Sequence, residues 1–247
     1  MIQVMDLHKA FGRQPVLRGV NLDVARGEIL GIIGCSGCGK SVLLKHLVGL
    51  LQPDRGHVLV NGGDLTVLRG RALNRVRERF GVLFQGGALF DSLTVLDNVA
   101  FPLREKTRLS STAILERAAA ELAAVGLAGM EQKYPAELSG GMRKRAALAR
   151  ALVTDPEVVL FDEPTTGLDP VMVRTIHELI AAAHRRFGFT GILVSHEIPE
   201  VFEVVNRVAM LHDGQIIACG TPAEIHGAAH PAVQGFLTGR MESAWVR

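Results

Sequence analysis

The sequence predicts an α/β domain with a mixed sheet core, an antiparallel β edge and an inserted helical subdomain. Three observations carry that prediction. Short continuous apolar runs, Val158–Phe161 and Gly191–Ser195 among them, are flanked by helical segments, as parallel strands buried on both faces are. Two β-like stretches joined by a brief turn open the chain and supply the antiparallel edge. Between residues 86 and 137 the pattern becomes helical, so a helical body of about residues 86–150 interrupts the strands. At 247 residues the whole chain fits one large domain with a full core of its own.

The elements follow in order. Residues 2–10 and 16–24 read as strands around a Gly12-to-Pro15 turn, and Glu28–Ile33 is a short apolar strand running into a glycine-rich loop. A helix is expected from Lys40 to about Leu50. His57–Val60, closed by Asn61-Gly62-Gly63, reads as an edge strand, and Phe80–Phe84 as a buried one. Leu93–Leu103 and Thr112–Val125 are helix-like, with Ser110 or Ser111 placed to cap the second. No internal repeat or low-complexity tract occurs, and residues 236–247 read as a loosely held tail.

Composition narrows the function. With 27 basic and 25 acidic residues, no global field draws the chain to nucleic acid. Mean hydropathy is +0.24, yet charges, Gly or Pro interrupt each apolar stretch before the ~20 residues a spanning helix needs. The start lacks a basic region followed by an apolar stretch, so a cytosolic location is expected. Three cysteines are too few for a disulfide framework.

The strongest chemical signal is Gly34-Cys35-Ser36-Gly37-Cys38-Gly39-Lys40-Ser41, a match to G-x-x-x-x-G-K-[ST] between an apolar strand and a helix. Its glycines let backbone N–H groups wrap a phosphate, and the helix start adds its positive end. Lys40 then faces the β- and γ-phosphates, and Ser41 offers its hydroxyl to Mg²⁺. Cys35 and Cys38 also spell C-x-x-C, but a zinc site needs about four ligands and no second pair follows, so both read as loop residues.

The strand Val158–Phe161 ends in Asp162-Glu163, which puts two carboxylates at a carboxyl edge of the sheet, where α/β sheets bind ligands. Side chains alternate along a strand, so the two acids take separate tasks: Asp162 toward Mg²⁺, Glu163 toward the attacking water. About a hundred residues after the phosphate loop, Leu138-Ser139-Gly140-Gly141-Met142 forms a second backbone-rich turn opening a basic helix, and so a second anion site. If the phosphate it meets is held by another copy's loop, the working unit is a dimer.

Over nearly the whole chain these features resemble the nucleotide-binding subunit of ATP-binding-cassette (ABC) transporters, a P-loop NTPase fold in which Leu-Ser-Gly-Gly is the signature segment. The resemblance implies that Ser139, Gly140 and Gly141 touch the γ-phosphate of ATP held by residues 34–41 of an identical partner. It further implies that Phe11 stacks on adenine, Gln85 senses Mg²⁺ and water, Asp169 lies in the loop crossing the dimer interface, and His196 contacts the γ-phosphate during catalysis.

Two departures point to a branch. Met142 stands where the signature has Gln or another polar residue, and the run from Phe84 to Leu103 is rich in apolar residues. Together with Arg143-Lys144-Arg145 and the segment 233–239, they resemble the ATPase subunits of bacterial Mla-type systems, which move phospholipids with mammalian-cell-entry (MCE) proteins. That resemblance implies a homodimer on the cytoplasmic face of the inner membrane, ATP and Mg²⁺ as cofactors, and an integral-membrane permease and an MCE-domain protein as partners. The competing readings are an amino-acid or metal importer ATPase and a non-transport ABC ATPase acting on nucleic acid. The near-neutral charge, with no basic-aromatic stripe, speaks against the last.

Overall fold

In the computed structural model, residues 1–239 are described. They fall into two compact units, Met1–Arg77 with the chain from Ile192 onward, and Glu78–Gly191.

In the first unit, β1 (Ile2–Phe11) and β2 (Gln14–Val24) pair antiparallel, and β3 (Ile29–Ile33) is buried along its whole length before the phosphate loop. α1 (Lys40–Leu47) stops about three residues before the sequence reading placed its end. Gly49 is the reason: its φ of +69° lies in the left-handed region that closes helices, and the Leu50 N–H turns back to Lys45. β4 (Arg55–Val60) and β5 (Gly63–Asp64) complete a four-stranded antiparallel sheet in the order β2-β1-β4-β5. α2 (Gly70–Arg77), absent from the sequence reading, buries only Leu73 among its arginines.

The second unit opens with β6 (Phe80–Leu83). α3 (Val95–Lys106) starts two residues later than expected because Thr94 caps it, accepting from the Asp97 N–H at 3.1 Å. α4 (Ser111–Ala124) is capped by Ser110, and α5 (Gly140–Leu152) by Ser139. β7 (Val158–Asp162) pairs parallel with β6 and is buried at every residue, in keeping with its apolar run Val158–Phe161 before Asp162. α6 (Pro170–Phe187) follows, capped by Asp169 and closed by Gly188. Residues 86–150, read as the helical subdomain, carry α3, α4 and most of α5; the unit that contains them also takes in β6, β7 and α6.

β8 (Thr190–Val194) carries the chain back into the first unit. There β9 (Arg207–His212) lies parallel to β3 and antiparallel to β10 (Gln215–Gly220), a hairpin around Asp213-Gly214 that the sequence reading did not single out. α7 (Pro222–His226) and α8 (Pro231–Leu237) follow. Parallel and antiparallel strands are thus mixed, as expected. Of the tail read as residues 236–247, Phe236 and Leu237 belong to α8, while 240–247 lie outside the described residues. Among the described residues no helix is long and apolar enough to cross a membrane.

Candidate active site

The phosphate loop of the first unit is shaped by close backbone packing. Gly34 has φ +147°, and a Cβ there would lie 2.2 Å from the Leu211 carbonyl oxygen of β9, so no side chain fits. A Cβ on Gly39 would press on Val16 and Leu17 of β2 at 3.0 and 3.1 Å, which seats the far side of the loop against that strand. Lys40 is only 5% exposed, and its ammonium donates to the carbonyls of Gly34 and Cys35, both at 2.8 Å. A buried cation folded back onto its own loop fits an anion that would compete for it. Ser36 and Gly37 are exposed at the loop's crest, and Ser41 stands in the first turn of α1.

Burial pushes the Cys38 thiol up, against the nearby Lys40 charge, which favours the neutral thiol over a reactive thiolate. Neither Cys35 nor Cys38 is in a disulfide, and both are half-buried.

Two further expected residues share this unit. Phe11 ends β1 at the hairpin turn with half its surface exposed, so it is no core aromatic; the Lys9 ammonium lies 5.7 Å from its ring centroid. His196 is exposed just past β8, and its backbone is held on both sides: Ser195 N–H donates to the Ile32 carbonyl of β3, and Glu197 N–H to the Ser195 hydroxyl.

The second unit assembles the remaining set. Asp162, the last residue of β7, is 9% exposed, while Glu163 turns out of the strand at φ +49°, an unusual value for a residue with a side chain. The Glu163 carboxylate is held through Oε2, which accepts from Gln85 Nε2 at 2.8 Å and from the Thr166 hydroxyl at 3.0 Å. Gln85 and Glu163 are 78 residues apart, and their contact brings two of the expected residues together directly. Thr166 was not foreseen; only its place three residues after Glu163 hinted at it.

Ser139 and Gly140 are exposed, and the Ser139 hydroxyl caps α5 by accepting from Met142 N–H at 3.2 Å. A Cβ on Gly141 would meet Met172 Cε at 2.5 Å, so this glycine lets the signature turn sit against the start of α6. Asp169 caps that helix through Oδ1, accepting from Val171 and Met172 N–H.

The loop after Gln85 borders a groove of about 480 Å³ lined by Phe84, Phe90, Phe101, Pro102, Lys106 and Arg150 among others. Phe84, Phe90 and Phe101 are each more than a third exposed, and the Phe90 and Phe101 rings stand 5.0 Å apart. Burial lowers the pKa of both Lys106 and Arg150, so this apolar groove carries cations at its wall.

The family profile "ABC transporter" matches residues 17–166, and a second, "AAA domain, putative AbiEii toxin, Type IV TA system", matches residues 130–203. The chain is 43% identical to the "Probable ribonucleotide transport ATP-binding protein mkl" of Mycobacterium leprae, over 97% of its own length and 69% of the relative's. It is 41% identical to the "Intermembrane phospholipid transport system ATP-binding protein MlaF" of Haemophilus influenzae, over 98% of its own length and 92% of that protein. Among solved structures, the dimeric post-hydrolysis state of the ATP-binding cassette MJ0796 bound to ADP and Pi superposes with a TM-score of 0.83 at 31% identity, over 90% of this chain and 98% of that one. A phosphate loop, a glutamine held on a strand-end glutamate, and a signature turn capping a basic helix thus lie in a chain that belongs to the ABC transporter family and is an ATPase.

Proposed function

We propose that the protein is the ATP-hydrolysing subunit of a transporter that moves phospholipid through a separate permease. The observation that carries the coupling is the bond between Gln85 and Glu163: the loop that borders the aromatic groove is tied to the carboxylate that orients water. Residues 34–41 hold the phosphates of ATP, Phe11 takes the adenine, and Ser41, Gln85 and Asp162 hold Mg²⁺. The donor set suits that ion, since Mg²⁺ accepts hydroxyl and carboxylate oxygens and fills its other positions with water and phosphate. ATP with Mg²⁺ supplies the phosphoryl group whose hydrolysis drives the cycle.

Glu163 orients or deprotonates the attacking water, and His196 contacts the γ-phosphate. Ser139, Gly140 and Gly141 reach the nucleotide of an identical partner, and Asp169 lies at that interface. Closure with ATP and reopening after hydrolysis shift a two-state element, and the groove beside Gln85 is where an apolar segment of the membrane subunit docks. The chain therefore works on the cytoplasmic face of the inner membrane, in a complex that includes an MCE-domain protein.

Two relatives carry different cargo names. The phospholipid reading is supported by the MlaF relative, of which this chain spans 92%, against 69% of the mkl relative. The test is the whole complex with its permease in vesicles, supplied in parallel with labelled phospholipid and labelled ribonucleotide. ATP-dependent movement of phospholipid alone is expected; movement of ribonucleotide alone would overturn the cargo assignment and leave the ATPase reading standing.

A further inference from the structure

Lys144 is an ammonium that the second unit buries to 8% exposure. Its Nζ donates a short hydrogen bond to the Gln85 carbonyl and lies 3.4 Å from the Glu163 carbonyl. The same two residues are joined through their side chains by the Gln85–Glu163 bond. Lys144 therefore ties by their main chains a pair that is also tied by its side chains.

Further along α5, Arg150 repeats the device. Its guanidinium donates to the carbonyls of Gly87 at 2.6 Å and Ala88 at 2.7 Å. Between these anchors Ala147 faces the loop closely enough that a Cβ on Gly87 would touch its methyl at 3.4 Å. Three of the four carbonyls in residues 85–88 thus accept from cations of one helix, and that helix begins at the Ser139 cap of the signature turn. Charge-assisted donors make strong, directional ties, whereas an apolar side chain would fill the same space without the desolvation of a cation.

We propose that Lys144 and Arg150 are positioning residues that fasten loop 85–88 to the signature helix, so that a displacement of the helix reaches Gln85 and, through it, Glu163. The inference rests on the reading of Glu163 as the residue that orients water. It assigns no contact with nucleotide to either cation. Their effect is on geometry, and a misplacement of about 1 Å at a reacting centre can cost on the order of 10²-fold in rate.

The test uses the full chain in its complex, with ATP turnover and ATP binding measured separately. Lys144→Met keeps the length and removes the donors. It is expected to lower kcat at least tenfold while the Kd for ATP stays within twofold, and Lys144→Arg, which keeps a cation, is expected to restore at least half of the native rate. Combined with Glu163→Gln, Lys144→Met is expected to add almost nothing, because the group it positions is already gone.

Native turnover in Lys144→Met, or multiplicative losses in the double variant, would overturn the inference, as would ATP binding weakened in proportion to rate. If Lys144→Met does not fold, Lys144→Leu, which likewise has no donor, carries the same expectation and the same refuting result. Native turnover in Glu163→Gln alone would instead strike the catalytic reading, whatever Lys144 does.

Discussion

The two units hold their chemistry in different ways. In the first, the phosphate loop is nearly all main chain: glycines pressed against β2 and β9, and one lysine folded onto the loop's own carbonyls. In the second, the strand-end site is a web of side chains, with Glu163 held by Gln85 and Thr166 while Lys144 grips the backbone beneath them. A loop made of local backbone geometry binds; a web made of distant side chains can respond. In the cycle proposed above, the first unit captures the nucleotide and the second converts its hydrolysis into movement.

The most severe way to break this division is Glu163→Gln. Turnover should fall by roughly 10²–10⁴, the usual size of a general-base contribution, while ATP affinity stays near native because the first unit is untouched. Nucleotide binding and single-turnover hydrolysis measured side by side give the answer, and a matching loss in both would erase the distinction between the units. Next comes Ser139→Arg, which places bulk on the exposed signature turn. The variant should still bind ATP yet fail to form the ATP-dependent dimer in sedimentation. A dimer that persists would remove the shared-site reading.

Much of the first region was legible in the sequence and less of the second. Gly34 to Ser41 is a contiguous spacing pattern, and so is the apolar run ending in Asp162-Glu163, because both depend on neighbours along the chain. Exposure of Phe11 settled what its identity could not, since an aromatic residue at the end of a strand serves a core or a surface equally well. The contacts of Lys144 and Arg150 with residues 85–88 could not be read, because their partners lie 59 and 63 residues away and a basic helix ordinarily faces water, while Thr166 had only its place three residues after Glu163 to mark it. The Arg207–Gly220 hairpin carries its turn signal in Asp213-Gly214, whereas α2, with a single buried leucine, offers little periodicity.

A milder perturbation probes whether the web in the second unit depends on its scaffold. Glu121 is 3% exposed on α4, and its carboxylate accepts from Arg186 of α6 at 2.5 and 3.2 Å. Arg186→Ala leaves that carboxylate buried without its guanidinium and should cost about 1–3 kcal/mol in urea unfolding. The companion Glu121→Gln with Arg186→Ala should recover part of the loss, as no uncompensated charge remains. Equal losses in the single and double variants would mean that packing, not charge, ties these helices.

The smallest effect lies under the phosphate loop, where a pH titration sharpens the contrast from the other side. His46 of α1 is 1% exposed, and its Nδ1–H donates to the Val42 carbonyl at 2.7 Å. Burial lowers its pKa; the Lys9 charge adds to that, and Asp54 with backbone hydrogen bonds opposes it. The folded protein therefore holds His46 neutral at pH values where the unfolded chain, with an ordinary pKa near 6.5, already binds a proton. The sign follows: its contribution to stability is intact above about pH 6.5 and is lost as pH falls from there through the lower folded value. Urea midpoints of the native protein and His46→Leu should draw together between pH 7.5 and pH 5.5, since only the native protein has this proton to pay for. A difference that stays constant across that range would show that the imidazole is accessible to protons in the fold, and the helix beneath the loop would then be looser than the packing around Gly34 and Gly39 implies.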